Sequence, residues 1–418
     1  MPLGAVALRK RIEVEDVQDL ASIPIIEKIS FGGIISITEP EDRKDYKGRL
    51  FWAETGELIY SKIRVKQGSL AVIPAEIKRV AVSAEYPVYT IRTGQAIPDY
   101  IELVLRTRSF LQLLVGLAHG GSTKTRIPPE DFERLDIPVP PLETQRAILA
   151  RWQAAQVEAN AAENRVRQVE AETDFRSYAT LALEAPKQGH KSRAFVAYWR
   201  GFSRWSVSFN QAAETGNLTR GKYPVAALGS ILDLVQYGTS EKANSHGEGV
   251  PVLRISNIKN RALDLTDLKY IPLPTPAKNS LLLQDGDILI IRTSGSRDLV
   301  GTCAVFHEST AFVFASYLIR LRVAGDKADA DYLSWFINSA FGRQQVDAIS
   351  RQIMQNNINS EELRSLQIPL PPLDIQRAIV ERIQTGRAEI ARLRVDAERV
   401  RRAARAAVEA LILGKGMS

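Results

Sequence analysis

A proline-rich segment occurs twice in this chain, as IPVPPLETQRAI from Ile137 and as IPLPPLDIQRAI from Ile368. Neither copy can be helical throughout, because proline fixes φ, lacks an amide donor and pushes the preceding residue toward extended geometry. Each copy is followed by tens of residues without proline that are rich in Ala, Arg, Glu, Leu and Ile, which favour helix. The sequence therefore predicts two long helices, each entered through a rigid extended segment.

Both predicted helices carry an apolar stripe that recurs at alternating steps of four and three residues. A stripe held this long predicts coiled-coil packing; the alternative is two unrelated amphipathic helices, each covering its own domain. Small residues dominate the first stripe and large ones the second, which favours pairing of the two helices with each other. The predicted seam residues are Ile148, Trp152, Val166, Val169, Ile379, Ile383, Ile390, Leu393, Val400 and Leu411.

The composition limits what the rest of the chain can be. A length of 418 residues suits two large domains plus connectors. The single cysteine excludes an internal disulfide and a cysteine metal cluster. No stretch is apolar for long enough to span a bilayer, so we expect a soluble, cytoplasmic protein. The net charge of +7 is compatible with an acidic partner such as nucleic acid, but does not demand one.

The duplication extends upstream of the prolines, where DYIELVLRTRSF from Asp99 aligns with DYLSWFINSAFG from Asp331. The order of short strands, a helix and a long helical tail predicts an α/β fold with two similar domains, two long antiparallel coiled-coil helices and internal pseudo-twofold symmetry. DNA-binding proteins with twofold symmetry contact two half-sites. Because the two copies have diverged, we expect a bipartite, asymmetric target. The predicted segments are residues 1–142, 143–190, 191–373 and 374–418.

The proline motifs with their helical tails, together with YGTSEKAN from Tyr237, PVLRISNI from Pro251 and GDILIIRTSGS from Gly286, resemble the specificity subunit of type I restriction–modification systems. The resemblance covers about Ile25 to Leu413. It implies two target-recognition domains, each reading half of a split site on double-stranded DNA. It also implies that the helices dock two methyltransferase subunits and that restriction and translocase subunits complete the complex.

By the same resemblance the chain itself is non-catalytic and holds no cofactor. S-adenosylmethionine and ATP are expected on the partner subunits. One departure from the family pattern concerns the start of the first domain. About 25 residues precede IIEKISFG there, whereas residues 196–250 precede PVLRISNI in the second domain. We therefore expect the first domain to be shortened or differently wired at its start.

Candidate DNA contacts in the second domain are polar residues that follow apolar strands, because Arg, Lys, Asn and Gln side chains carry most contacts to phosphates and base edges. The loop RTSGSRD could bind DNA, or its glycine could simply permit a tight hairpin. The amide cluster from Gln355 could pair with adenine or cap the next helix. The candidates are Tyr237, Thr239, Ser240, Lys242, Arg254, Ser256, Asn257, Arg292, Ser294, Ser296, Arg297, Gln355, Asn356 and Asn357.

Candidates in the first domain come from SKIRVKQGS and GGSTKTR. The first segment could bind phosphates or be a solvated strand edge, where lysine guards against aggregation. The candidates are Ser61, Lys62, Arg64, Lys66, Gln67, Ser122, Lys124 and Arg126. Arginines off the seam of the second long helix could bind DNA, but we expect them to dock partner subunits.

The sequence shows no pattern for catalysis. A methyltransferase of exocyclic amines needs an Asn/Asp-Pro-Pro-aromatic loop, and the Pro-Pro pairs here lie in IPPE, VPPL and LPPL. No nucleotide-binding G-x-x-x-x-G-K-[ST] is present. The histidines are scattered without metal-ligand spacing, so no metal site is predicted. The competing hypothesis is a scaffold that binds no DNA and whose coiled coil clamps two protein partners.

Overall fold

The computed structural model describes residues 1–15, 23–38, 48–116, 126–184, 218–352 and 356–414. The chain divides into unit 1, which comprises Met1–Asn164 and Leu393–Ser418, and unit 2, which comprises Arg165–Arg392. Unit 1 is thus assembled from two separate stretches of chain and unit 2 from one. No helix in the described ranges has the length and apolar character needed to cross a membrane.

Unit 1 combines short strands with helices. Its strands are β1 (Ala7–Lys10), β2 (Ile25–Ile29), β3 (Ile35–Thr38), β4 (Leu50–Glu54), β5 (Leu58–Tyr60), β6 (Leu70–Val72), β7 (Arg79–Ser83) and β8 (Val88–Ile91). Its short helices are α1 (Pro98–Leu105), α2 (Arg108–Gly116) and α3 (Pro129–Glu133), and the long helix α4 (Leu142–Thr180) begins here.

Two sheets form the body of unit 1. One has the order β1–β8–β5–β6 with antiparallel neighbours, and the other has the order β3–β2–β7–β4, in which β2 and β7 run parallel. The strand β5 joins the two cores because successive side chains point to opposite faces. Leu58 and Tyr60 pack in the core with α1 and α2, while Ile59 packs in the core of the second sheet.

Unit 2 has more and shorter strands. They are β9 (Val225–Ala227), β10 (Leu232–Tyr237), β11 (Val250–Leu253), β12 (Ile258–Lys259), β13 (Ala262–Leu263), β14 (Lys269–Ile271), β15 (Ile288–Ile291), β16 (Thr293–Ser294), β17 (Cys303–Val305), β18 (Val313–Phe314), β19 (Leu318–Val323), β20 (Arg351–Gln352), β21 (Asn356–Asn357) and β22 (Gln367–Pro369). The helices are α5 (Thr275–Leu281), α6 (Ala330–Asn338), α7 (Ala340–Ile349), α8 (Ser360–Arg364) and the long α9 (Leu373–Ile412), which ends in unit 1.

The main sheets of unit 2 repeat those of unit 1. The order β10–β19–β15–β17 corresponds to β1–β8–β5–β6, and the order β14–β11–β18 contains a parallel pair, β11 and β18, as β2 and β7 do. The strand β15 again serves two cores, with Ile288 and Ile290 in one and Leu289 and Ile291 in the other. The α/β fold with two similar bodies is confirmed.

The start of the first body follows the same plan as the second. The strand β1 pairs with β8 as β10 pairs with β19. Leu3 donates its amide to the carbonyl of Leu135 at 2.8 Å, and Leu228 donates to Leu366 at 2.7 Å. The expectation of a different wiring at the start of the first domain is therefore wrong for this sheet. The sequence pattern did not reveal β1, because ALRK is a short strand of mixed polarity.

The proline segments are held by tyrosines at equivalent positions. The Tyr100 hydroxyl donates to the Pro138 carbonyl at 3.1 Å, and the Tyr332 hydroxyl donates to the Pro369 carbonyl at 2.7 Å. Both tyrosines have no exposed surface. A buried proline carbonyl still needs a hydrogen-bond donor, and in each body a tyrosine hydroxyl supplies it.

A fully buried glutamine fixes the first turn of each long helix. Gln145 accepts from the Ile97 amide at 2.9 Å and donates to the Pro140 carbonyl at 2.7 Å. The glutamine of the second repeat, Gln376, accepts from the Asp329 amide at 2.9 Å and donates to a proline carbonyl in the same way, at 2.8 Å. Each glutamine at the start of a long helix thereby hydrogen-bonds both the preceding proline segment and a backbone amide of the same body.

The long helices pair antiparallel within each unit, because the start of one meets the end of the other. In unit 1, Ile148 near the start of α4 shares a core with Val408 near the end of α9. In unit 2, Ile379 near the start of α9 shares a core with Tyr178 near the end of α4. Every residue of the predicted seam is buried or half-buried, as coiled-coil packing requires.

Candidate nucleic-acid interface

Arg292 lies where the central strand β15 of unit 2 ends and the chain turns toward β16. Its amide donates to the Tyr317 carbonyl at 3.0 Å, and its carbonyl accepts from the Ile358 amide at 2.8 Å. Two neighbouring segments therefore fix its backbone. A polar side chain on such a rigid frame can meet a ligand without first losing backbone freedom.

The Arg292 guanidinium is positioned but not neutralised. It lies 4.9 Å from the ring centroid of Tyr237, within cation–π range, and donates to the Ser316 carbonyl at 3.4 Å. Its buried Nε has no hydrogen-bond partner. Among the described residues, no carboxylate forms an ion pair with it. The positive charge thus remains available to an anionic ligand.

Tyr237 and the turn after it lie beside Arg292. Tyr237 is 39% exposed, and its hydroxyl accepts from the Ser360 amide at 3.1 Å. The next residue, Gly238, has no room for a side chain, since a Cβ there would lie 2.3 Å from the Phe314 carbonyl oxygen. Thr239 accepts from the amide of Glu241 through Oγ1 at 3.1 Å. The candidates Ser240 and Lys242 are exposed in the same turn.

The amide cluster lies across from the loop that follows Arg292. Thr293 and Ser294 of β16 pair with Asn357 and Asn356 of β21, respectively. The Asn357 Oδ1 is buried without a hydrogen-bond partner. The residue that caps α8 is Asn359, which is not part of this cluster. Its side chain accepts from the amide of Glu362, the third residue of α8, at 2.8 Å. Gln355 lies outside the described residues, as does the side chain of Asn356.

Other candidates of unit 2 have protein partners. Arg254 binds the Asp267 carboxylate at 3.0 Å. Asn257 is 1% exposed, and its amide donates to the carbonyls of Asp264 and Asp267 at 2.9 and 3.0 Å, so it holds a loop rather than facing solvent. Ser256 is exposed beside it.

The loop RTSGSRD ends against α7. Ser294 accepts from the Ser296 amide at 3.1 Å, and Ser296 is exposed. Arg297 donates to the Asp347 carbonyl at 3.3 Å and lies 4.0 Å from its carboxylate. The two arginines that bracket this loop therefore differ, because Arg297 has an acidic neighbour and Arg292 pairs with no carboxylate in the described ranges.

Lys62 occupies in unit 1 the position of Arg292. It follows the central strand β5, donates its amide to the Glu85 carbonyl at 3.1 Å and accepts from the Ile127 amide at 2.9 Å. Its Nζ donates to the Ala84 carbonyl at 2.6 Å. Ala84 directly precedes Glu85, the acceptor of the Lys62 amide. In unit 2, Ser316 directly precedes Tyr317 in the same way. The sequence comparison found the aligned segments but not this shared arrangement.

The remaining candidates of unit 1 surround Lys62. Ser61 is 7% exposed, and its hydroxyl accepts from the Arg64 amide at 3.3 Å. Arg64 and Gln67 are exposed and Lys66 is half-buried, in a turn around a 3-10 helix rather than on a strand edge. Arg126 pairs with the Glu85 carboxylate at 3.0 Å. Ser122 and Lys124 lie outside the described residues.

Residues 222–393, which include the Arg292 surface, match the family described as Type I restriction modification DNA specificity domain. The Type I restriction enzyme EcoKI specificity subunit of Escherichia coli (strain K12) is 26% identical over 268 residues, which are 63% of this chain and 53% of that protein. The StySPI specificity subunit of Salmonella potsdam is 24% identical over 289 residues, 69% of this chain and 58% of that protein. The chain is thus similar to type I specificity subunits, and the family match covers residues 222–393. The chain spans just over half the length of these relatives.

The fold of this chain also has a counterpart among solved structures. A chain from a structural study of complex assembly and conformational transition in the type I R-M system covers 99% of this chain and is itself covered to 97%, with a TM-score of 0.58 and 17% identity. At this identity the likeness concerns the fold. It supports the strands and long helices described above within each unit.

Proposed function

We propose that this chain is a type I specificity subunit, that it recognises double-stranded DNA and that each body reads one half of a bipartite, asymmetric site. The observation that carries the proposal is the equivalent polar edge of both bodies, with Arg292 in one and Lys62 in the other. Each cation is held by a backbone carbonyl on a rigid strand end and has no carboxylate partner in the described part of the chain. Such groups are what DNA-binding surfaces use to contact the sugar–phosphate backbone and base edges.

The long helices α4 and α9 are proposed to set the spacing between the half-sites and to dock two methyltransferase subunits, with restriction and translocase subunits joining the complex. The faces of α9 away from the seam support docking. The side chains of Arg399 and Arg402 are 72% and 77% exposed, and both pair with acidic residues of their own helix. Exposed ion pairs of this kind contribute little to stability, so they leave this face free to bind a partner.

The chain is proposed to bind rather than catalyse. Methylation and cleavage would then be carried out by the partner subunits, with S-adenosylmethionine and ATP bound there. The relatives named above carry the word specificity in their names. The residues of this chain would contribute position and sequence discrimination.

Co-expression with the neighbouring methyltransferase subunit, followed by genome-wide mapping of methylated adenine by single-molecule sequencing, tests the proposal. We expect a methylated motif with two unlike halves separated by a fixed spacer. Exchange of residues 1–142 for the corresponding part of another specificity subunit should change one half only. A stable complex that adds no methylation anywhere would instead favour the scaffold that binds no DNA.

A further inference from the structure

We propose that Lys62 and Arg292 are equivalent phosphate-binding residues, one in each body, and that they position the DNA backbone rather than read bases. The inference rests on the proposed function as a DNA-recognition subunit and deepens it. It assigns a chemical target, the phosphodiester oxygen, to one fold position that occurs twice in the chain.

The backbones of Lys62 and Arg292 make equivalent hydrogen bonds. Each residue follows the central strand of a four-stranded sheet with the same strand order. Each donates its amide to the segment that leads into the neighbouring strand, at 3.1 Å for Lys62 and 3.0 Å for Arg292. Each accepts from the isoleucine that precedes the next short helix, at 2.9 and 2.8 Å. The chain thus presents a cation at the same place in both bodies.

The side chains share an anchor but differ in chemistry. Both donate to the carbonyl of the residue just before the backbone acceptor, Ala84 for Lys62 and Ser316 for Arg292. Lysine and arginine can both contact guanine, but only arginine offers a rigid planar fork, whereas a phosphate accepts either cation without that geometry. A position filled by lysine in one body and arginine in the other therefore suits phosphate binding better than base readout.

Two neighbouring arginines are neutralised, whereas Lys62 and Arg292 have no carboxylate partner among the described residues. Arg126 pairs with Glu85 at 3.0 Å, and Arg254 pairs with Asp267 at 3.0 Å. The pKa of the Glu130 carboxyl is lowered mainly by its bond to Arg9 at 2.8 Å, and Lys62 adds a smaller effect, so Glu130 is already paired. A free cation on a rigid strand end gains most from a phosphate, because the anion replaces no internal ion pair.

In unit 2, Tyr237 orients the cation further. Its ring lies under the Arg292 guanidinium, and its hydroxyl is fixed by the Ser360 amide. Stacking of a guanidinium on an aromatic face limits its rotation while leaving its outer N–H groups free. Loss of the ring should therefore weaken binding without removing a charge.

The test measures binding of the full chain to a fluorescently labelled, mixed-sequence DNA duplex by anisotropy over a series of KCl concentrations. Each phosphate contact contributes about 0.9 to the slope of log K against log salt. Arg292→Gln and Lys62→Gln keep an amide that can donate to the anchoring carbonyl but remove the charge. We expect each to lower the slope by about 0.9 and the affinity at 0.1 M salt by roughly eightfold.

Matched controls separate this role from general charge effects. Arg292→Lys and Lys62→Arg should keep the wild-type slope, and Tyr237→Ala should keep the slope while weakening affinity by about threefold. Arg220→Ala, which removes an exposed arginine at the end of the 3-10 helix Leu218–Arg220, should also leave the slope unchanged. The double variant of Lys62 and Arg292 should lower the slope by about 1.8.

The outcomes distinguish the inference from the function on which it rests. If the wild-type chain does not bind DNA even at low salt, the proposed function fails. If it binds and both Gln variants retain the wild-type slope, the phosphate assignment is wrong and DNA recognition stands. In the methylation assay, Arg292→Gln should lower methylation while keeping the motif; a relaxed base in one half-site would show that Arg292 reads sequence and overturn the assignment.

Discussion

Replacement of Gln376 by alanine should destabilise unit 2 by about 3 kcal/mol. The side chain has no exposed surface and bonds the Asp329 amide at 2.9 Å and the Pro371 carbonyl at 2.8 Å. Truncation leaves both groups buried without a partner, and each such loss costs about 1–3 kcal/mol. Water entering the space would recover part of this cost, which places the expected value near the middle of the range.

Replacement of Gln376 by glutamate gives a sharper version of the same test. Glutamate keeps the acceptor for the Asp329 amide but presents an oxygen to the Pro371 carbonyl, so only the protonated form fits. The pKa of the new carboxyl in the folded chain should therefore lie above its usual value of about 4.3. Stability of this variant should fall as pH rises from about 4 through that raised pKa, because the folded state then holds a proton that the unfolded state has lost.

The assay is urea-dependent hydrogen exchange read by mass spectrometry, which reports each unit through its own peptides and avoids a single global transition. Gln145→Ala is the matched variant, because its amide makes the corresponding bonds in unit 1. We expect lost protection first in unit 2 for Gln376→Ala and first in unit 1 for Gln145→Ala. Losses below 0.5 kcal/mol for both, with a pH-independent glutamate variant, would refute the reasoning.

Three further outcomes are expected. A side chain at Gly386 would collide with Thr173, since a Cβ there lies 2.7 Å from its Oγ1. Gly386→Leu should therefore lower the free energy of unfolding of unit 2 in urea by about 1–3 kcal/mol, and Thr173→Ala in the same chain should recover part of the loss; no loss would contradict the packing. Burial alone would lower the pKa of His307, but its bonds to the carboxylates of Asp285 and Asp331, at 2.8 and 3.0 Å, outweigh this and raise the pKa. The protonated ring therefore adds stability below pH 6.5 that fades as pH rises through the raised pKa, and an NMR titration of His307 should show that pKa falling in Asp331→Asn. Asp287→Ala should cost about 3–5 kcal/mol in urea unfolding, because its buried carboxylate pairs with two arginines; a stable variant would show that those arginines find other partners.

The helices were predictable because their signal is local. Proline chemistry marks where α4 and α9 can begin, and a heptad stripe requires only the residues of one segment. Ile148 and Ile379 fall on that stripe and lie in the two main cores. The α/β class follows from the same reasoning, since short apolar runs broken by turn residues alternate with helical segments.

The candidate interface was less predictable, because residue type does not show which groups a side chain will bind in the folded chain. Asn257 and Arg292 look alike in the sequence, as polar residues after apolar strands. A folded-back loop supplies Asn257 with carbonyl partners, whereas Arg292 meets a tyrosine ring and one carbonyl. Asn359 rather than Asn357 caps α8, which only the backbone path of that turn decides. Such choices depend on residues distant in sequence.

The assembly of unit 1 from two stretches of chain has a consequence for biosynthesis. Leu3 and Ile148 pack in one core with Val408 and Ile412, whereas the core of unit 2 draws on a continuous stretch. During translation, domains generally fold as their residues leave the ribosome. Unit 1 therefore cannot close its core until the residues around Ile412 have been made, whereas unit 2 can finish before it. Until then the apolar surface of unit 1 that packs against the end of α9 stays uncovered, so we expect nascent unit 1 to bind chaperones more than nascent unit 2.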